Sequence, residues 1–369
     1  MTGRLPWAGR RLASRVAASP PIEDLLGRLA ARLAGNDEVA VLTYHRVAPP
    51  SARPDLSPGL LSATPDQLDR HVAWLRARAR VLSMDELLRA RAGRHVPARA
   101  ILITFDDGYA DFAEHAWPRF RAEGMPVTLF LSTGPPGLGG NHAESPFWWD
   151  RLYAAIARSD VPSIETRLGR IEPRTIRSEP ARLSWFTDRL KDLPHERLLQ
   201  AVEDIIAVAS RSPATAMSAL TRAPEPRTQS TPVTLDWTTI RRLAAEGVTI
   251  APHTRTHPLL TRLQPEQARA EVEGSRSDLL QEVPQAILDV FAYPSGAHDD
   301  RTGMILEGLG LTLAFTTRRG LNRIGRTDRL ALRRFNVGSR STPVWLAAQV
   351  LAGRLGRPSR AAVPPRRVL

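Results

Sequence analysis

The sequence predicts an α/β fold, a parallel sheet or β/α barrel interrupted by a helical insertion. Past residue 38, short β-rich runs alternate with helical patterns, which is the signature of βα units. Between Pro135 and Val233 the alternation fails and helical patterns follow one another. The residues with the most chemistry come directly after predicted strands, where β/α barrels carry their active sites.

Taken in order, Ile22, Leu25, Leu26, Leu29 and Leu33 recur at helical spacing, with Arg28 and Arg32 between them and Gly35 as a stop. This amphipathic segment packs on its own domain or lies on a membrane surface. Val39-Ala40-Val41-Leu42-Thr43-Tyr44 reads as a buried strand. Thr64 and Gln67 form a capping-box pair opening a helix through about Ala79, and Ser83 with Glu86 opens another. Ala100–Phe105 is the clearest strand, followed by a helix from about Asp111 to Gly124 and the strand Val127–Leu131.

Phe147-Trp148-Trp149 opens the insertion, with further helical patterns over about Ser178–Leu193 and Pro194–Ser210. A Pro/Ser/Thr/Arg-rich stretch, Arg211–Pro232, reads as an exposed linker. The alternation then resumes with a helix around Ile240–Ala245 that stops at Gly247 and the strand Val248–Ile250. A helix after Pro265 and strands at Val290–Tyr293, Leu313–Thr316 and Leu332–Phe335 complete it. The organisation expected is a segment over 1–38, a barrel over 39–350 with its insertion at about 135–233, and a Pro/Arg-rich tail over 351–369.

Composition narrows the function. Across 369 residues, 42% are apolar and 24% charged, which rules out global disorder. Absence of cysteine excludes disulfides, thiolate zinc sites and a cysteine nucleophile. The only lysine, Lys191, follows no glycine-rich loop, so Walker and Schiff-base chemistry are excluded. The formal charge of +13 comes from arginines interleaved with acids through every segment, without a reading motif, so no nucleic-acid partner is expected. Such a balance also suits an acidic glycan or an anionic membrane surface. With neither an apolar run long enough to span a bilayer nor an h-region after the N-terminal arginines, a cytoplasmic location with possible membrane contact is expected.

Two constellations carry the chemistry. In Thr104-Phe105-Asp106-Asp107-Gly108-Tyr109, adjacent carboxylates leave a strand end in different directions and can hold two roles. In His253-Thr254-Arg255-Thr256-His257-Pro258, two imidazoles four residues apart reach one site if the segment coils, which suits a divalent metal. Seen singly, these read as a solvated turn and two loop histidines. Together they supply His, His and Asp with a spare carboxylate, the set that metal-assisted hydrolysis requires.

On these motifs, with Phe291-Ala292-Tyr293-Pro294-Ser295-Gly296 as a third, the chain resembles the polysaccharide deacetylases, the NodB-homology family (carbohydrate esterase family 4). The resemblance runs from about Val39 to about Val337, interrupted by the insertion. It implies a distorted (β/α) barrel that hydrolyses acetyl groups on sugar polymers, mostly N-acetyl groups of glucosamine units. Carried over residue by residue, Asp107, His253 and His257 match the metal ligands and Asp106 matches the general base. The implied cofactor is one divalent ion, with zinc ahead of cobalt, nickel or manganese, and the implied partner is an acetylated carbohydrate. Tyr293, Pro294 and Ser295 fall at the substrate or oxyanion position.

The chain departs from the family pattern twice. The arginine that steadies the base in many relatives is replaced by Ala292, leaving Arg318, Arg319, Arg333 and Arg334 as substitutes. The late Leu-x-His motif is absent, and Leu332-Arg333-Arg334-Phe335-Asn336 stands in its region. His45, in Tyr44-His45-Arg46-Val47, resembles the early histidine of circularly rearranged members, where it is the general acid; a structural histidine closing the barrel end is the alternative. His298 competes for the acid role. His71 and His115 read as structural, and His95, His142 and His195 as surface. Trp148 and Trp149 either stack on a sugar or anchor the insertion. O-acetyl esterase, cyclic-amide hydrolase and a non-catalytic glycan binder stay open as alternatives.

Overall fold

The computed structural model describes residues 37–49, 51–93, 95–134, 146–211 and 232–355, with isolated positions before Asp37. The strands are β1 (Glu38–Tyr44), β2 (Arg46–Val47), β3 (Leu61–Ala63), β4 (Arg80–Leu82), β5 (Ala100–Phe105) and β6 (Thr128–Leu131). A hairpin, β7 (Ile164–Thr166) and β8 (Gly169–Ile171), precedes β9 (Thr249–Pro252), β10 (Val290–Ala292), β11 (Leu313–Phe315), β12 (Asn322–Arg323) and β13 (Phe335–Asn336). Helices are α1 (Pro65–Arg78), α2 (Met84–Gly93), α3 (Trp117–Ala122), α4 (Trp148–Arg158), α5 (Pro173–Ser178) and α6 (Arg182–Lys191). They continue as α7 (His195–Ala209), α8 (Trp237–Ala245), α9 (Pro265–Glu282), α10 (Asp300–Gly308) and α11 (Pro343–Arg354).

Both expected capping boxes form. Thr64 and Gln67 exchange bonds at the start of α1, and Ser83 and Glu86 do so at the start of α2. The helix expected from Asp111 differs. Residues Phe112–Ala116 form a π turn, with the Trp117 N–H donating to the Phe112 carbonyl, before α3 begins. Pro118 explains it: it has no N–H for the carbonyl of Glu114, and its ring crowds that carbonyl.

One sheet runs β12-β1-β5-β6-β9, with β13 also on β1 and β4 also on β5. Within it, β1, β4, β5, β6, β9 and β13 are parallel to their neighbours, and only β12 is antiparallel. Strands β10 and β11 form a separate parallel pair, linked by single bridges at Ile250–Ile287 and Phe315–Leu332. The fold is thus a mixed α/β arrangement around a parallel sheet, in which the described strands do not close into a hydrogen-bonded barrel. The strand expected over Leu332–Phe335 begins only at Phe335, because Leu332 bridges β11 and the Arg334 N–H donates to the Arg318 carbonyl.

Alternation divides the core. Val39 and Val41 of β1 join Leu102, Phe130, Ala251, Ala292 and Phe315 in one cluster. Ala40, Leu42 and Tyr44 join Ile103, Phe105, Leu129 and Ile250 beneath the helices in another. Strands buried on both faces read as continuous apolar runs, which is why β1 and β5 were legible. The insertion has its own core, including Leu152, Ile156, Phe186, Leu190 and Val202. It is not wholly helical, since it contains the β7–β8 hairpin, whose three-residue strands are too short to show alternation.

Leu25, Arg28 and Leu29 are helical and exposed; the rest of the amphipathic segment, with His142, most of the linker and the tail from Gly356, lies outside the described residues. No helix among the described residues is long and apolar enough to cross a membrane.

Candidate active site

Because β1, β5 and β9 run parallel, the residues that follow them emerge at the same edge of the sheet. Those residues are His45, Asp106 and His253. The Asp106 N–H donates to the Tyr44 carbonyl at 3.0 Å, extending the pairing of β1 and β5 by one residue. The Gly108 N–H then donates to the Asp106 carbonyl at 3.0 Å, closing a three-residue turn with Asp107 at φ 75°. This left-handed γ-turn is the rarer, strained hand, and it sends the two carboxylates apart. Gly108 has no alternative: a Cβ there would lie 2.6 Å from Leu131 Cδ2.

Asp107 faces the histidines. Its Oδ1 lies 3.5 Å from His253 Nε2 and 3.3 Å from His257 Nε2. One donor atom from each of the three buried side chains falls within 4.8 Å of the others. Asp107 Oδ1 is buried without a hydrogen-bond partner, a costly arrangement that a cation would relieve. His253 Nδ1 lies 2.6 Å from the Ala292 carbonyl oxygen. A carbonyl only accepts, so Nδ1 carries the proton and Nε2 keeps its lone pair for the shared site. The residue set fits a divalent metal.

The histidine loop is held from below. Glu271 of α9 accepts from Arg255 N at 2.8 Å, Thr256 N at 2.9 Å and Thr256 Oγ1 at 2.7 Å. Thr254 and His257 adopt φ of 67° and 59°, and Ser295 of the third motif 54°. With Asp107, four of the five described non-glycine residues at positive φ thus lie in the three motifs. Strain of this kind persists only where the surroundings enforce it.

Asp106 turns toward a different partner. Arg334, wholly buried, donates from Nη1 to Asp106 Oδ1 at 2.8 Å and from Nη2 to Oδ2 at 2.7 Å. Burial pushes the Asp106 carboxyl up, but Arg334, with His253 and His45 nearby, outweighs it and holds the carboxyl below its usual range. Of the four arginines considered from sequence, Arg334 is the one that pairs with Asp106. For Asp107, burial is likewise outweighed, here by His253, His257 and His45, leaving it well below the ordinary range. His45 thus stands within electrostatic reach of both carboxylates, and its main-chain N–H donates to Ser62 Oγ at 2.9 Å.

The third motif is narrower than expected as an oxyanion site. Tyr293 N–H is committed to the Phe315 carbonyl at 3.0 Å and proline has no N–H, so of Tyr293, Pro294 and Ser295 only Ser295 has a main-chain donor to offer. His298 packs 5.4 Å from the Tyr293 ring and is half-buried. Its pKa is lowered by burial and by Arg318. His71 is structural, its ring bridging Tyr44 Oη at 3.3 Å and the Ser341 carbonyl at 2.7 Å.

The insertion reaches the site in two places. Trp149 stacks on Phe147 at 4.5 Å and meets His257 edge-on at 4.8 Å. Its Nε1 donates to Tyr109 Oη at 2.8 Å, and Tyr109 Oη donates to Asp150 at 2.7 Å. Trp149 is therefore both anchor and wall. Asp150, overlooked in the sequence because nothing in its spacing marks it, also accepts from Ser57 N at 2.7 Å. Burial pushes its carboxyl up to about 7 despite Tyr109 and Ser57. Lys191 of α6, set aside on motif grounds, is near enough for its charge to act on Asp107 and His257, although burial lowers its own pKa.

Fold and site together place an Asp/His/His cluster beside the strand ends of a parallel sheet. Residues 210–314 match the polysaccharide deacetylase family, a span that contains the histidine motif and the third motif but not Asp106-Asp107. The fold is also similar to solved structures at low identity. The deacetylase PplD of Streptococcus pyogenes, solved with acetate, aligns with TM-score 0.54 and 18% identity over 86% of this chain and 99% of its own. IcaB of Ammonifex degensii aligns with TM-score 0.53 and 19% identity over 86% and 99%. A polysaccharide deacetylase of Bacillus cereus aligns with TM-score 0.51 and 14% identity over 85% and 69%.

Proposed function

We propose that the protein is a metal-dependent hydrolase removing acetyl groups, N-acetyl groups of an amino sugar above all, from a polysaccharide or glycan precursor. One observation carries this: Asp107, His253 and His257 converge on a shared point, with Asp107 Oδ1 buried and unpartnered. The family match and the deacetylase neighbours support the same reading. Asp107, His253 and His257 would hold a divalent ion, zinc first, which when bound would supply Lewis-acid polarisation of the acetyl carbonyl and lower the pKa of a bound water to about 7.

The chain's own groups do the rest. Asp106 stays ionised beside Arg334 and takes the proton from the attacking water. Each of its oxygens keeps a second lone pair for that purpose after receiving one guanidinium N–H. Arg334 is a positioning residue, since its bidentate fork fixes the carboxylate plane. His45 holds a proton for the departing amine, which cannot leave as an anion. The Ser295 main-chain N–H is the donor assigned to the oxyanion. Trp149 and Phe147 exclude water from one side.

Acetate release across a panel of N-acetylated and O-acetylated glycans tests this. Release from an N-acetylglucosamine oligomer is expected; release from O-acetyl esters alone would replace the amide reading, and none from any member would remove it.

A further inference from the structure

We propose that a cleft beside the third motif is a subsite for an anion, a phosphate or a carboxylate, carried on the glycan substrate. The inference rests on the deacetylase reading for its substrate but not for its geometry. The cleft has a volume of about 1140 Å³ and is lined by Tyr293 and His298 together with Arg318, Arg319, Arg326 and Arg333. It therefore begins at the residues that follow β10, and Asp107, His253 and His257 are not among its lining.

Two buried side-chain donors at this cleft have no hydrogen-bond partner, Tyr293 Oη and Arg319 Nη2. Buried donors without acceptors cost free energy, and an incoming oxyanion satisfies them. The Arg319 guanidinium sits 5.0 Å from the Trp345 ring centroid, which fixes its plane. Arg333 is placed by Gly320, at φ 153°, where a Cβ would lie 2.8 Å from Arg333 Cδ. Arg318 acts electrostatically on His298.

None of Arg318, Arg319, Arg326 and Arg333 has a carboxylate partner among the described residues. Three of the acids at the cleft have partners of their own, although among the described residues only Glu307 is ion-paired. Glu307 pairs with Arg329, Asp299 caps α10 through Thr302 N, and Asp328 accepts from Leu330 N. Arg323 pairs with Glu38, whereas Asp299 and Asp328 act electrostatically on Tyr293 and His298 and, with Asp300, are the carboxylates an incoming anion must outcompete. Guanidinium forks on a shared cavity match carboxylate and phosphate oxygens bidentately, which a single neutral hydroxyl does not.

The test uses the full protein and three substrates: a neutral N-acetylglucosamine tetramer, the tetramer oxidised to a terminal carboxylate, and the tetramer bearing a terminal phosphate. Wild type should show kcat/KM roughly 10–100-fold higher on one or both charged tetramers, the scale of a charge-assisted hydrogen bond. The arm that gains identifies the anion. Arg319→Gln and Arg333→Gln should abolish that gain while leaving turnover of the neutral tetramer unchanged. Equal rates on all three in wild type, or a gain that survives both substitutions, would overturn the subsite. If no tetramer is deacetylated, the deacetylase reading fails, and titration with inorganic phosphate decides the inference alone. Saturable binding lost in the double variant supports it, and no saturable binding sinks it.

Discussion

Asp106 owes its charge chiefly to Arg334. Its carboxyl is buried, and Arg334 is the first of the groups that offset that burial. Arg334→Met should therefore raise the Asp106 pKa and move the acid limb of the kcat/KM profile to higher pH, because only the ionised base works. It should also cost about 3–5 kcal/mol of stability by leaving a buried charge unpaired. An unmoved acid limb would show that Asp106 is not the group titrating there. Asp106→Asn should keep the metal and lose turnover by roughly 10²–10⁴-fold. His45→Ala should lose a similar factor on an amide, with metal content unchanged and an activated acetyl ester much less affected. Equal losses on both substrates would make His45 structural, and inactivity of His298→Ala beside an active His45→Ala would transfer the acid role. Asp106, Asp107, His253 and His257 were readable because each motif follows an apolar run directly. Arg334 was readable only as one of four, since its partner lies 228 positions away in sequence.

The elements that carry these residues differ in how openly the sequence announces them. Capping boxes and buried parallel strands depend on neighbours within a few positions, and α1, α2, β1 and β5 were accordingly legible. The π turn before α3 needed Pro118 weighed against a strong helical pattern, and the β7–β8 hairpin offered only three residues per strand. Helix α4 is where insertion and sheet are joined, through Trp149, Tyr109 and Asp150. A carboxyl raised to about 7 binds its proton more tightly in the folded chain than in the unfolded one. Stability from that difference is full below the ordinary carboxylate range and is lost as pH rises through about 7. Asp111, raised to about 6 by burial, adds in the same direction. Because His71, lowered to about 4 by burial, contributes in the opposite direction, the test is a difference: wild type should lose more melting temperature between pH 5 and pH 8 than Asp150→Asn. An identical slope in the variant would place the pH dependence elsewhere.

At the scale of the whole molecule, the parallel sheet presents His45, Asp106 and His253 together from β-strand ends far apart in sequence, and the insertion closes one side with an apolar wall. The class of fold followed from alternation alone, whereas the open seam between β9 and the β10–β11 pair depends on hydrogen bonds that no local pattern encodes. A metal that binds only the folded chain stabilises it by mass action, about 2.7 kcal/mol at a hundredfold excess over Kd. Chelation should thus lower both melting temperature and activity, and His253→Ala or His257→Ala should abolish metal occupancy. The most direct measurement is acetate release from an N-acetylglucosamine oligomer by one preparation assayed as purified, after exhaustive chelation, and after zinc is restored, with metal content determined at each stage. The expected result is loss of release on chelation and recovery at about one equivalent of zinc. Undiminished release from protein in which no metal is detected would contradict the assignment of Asp107, His253 and His257.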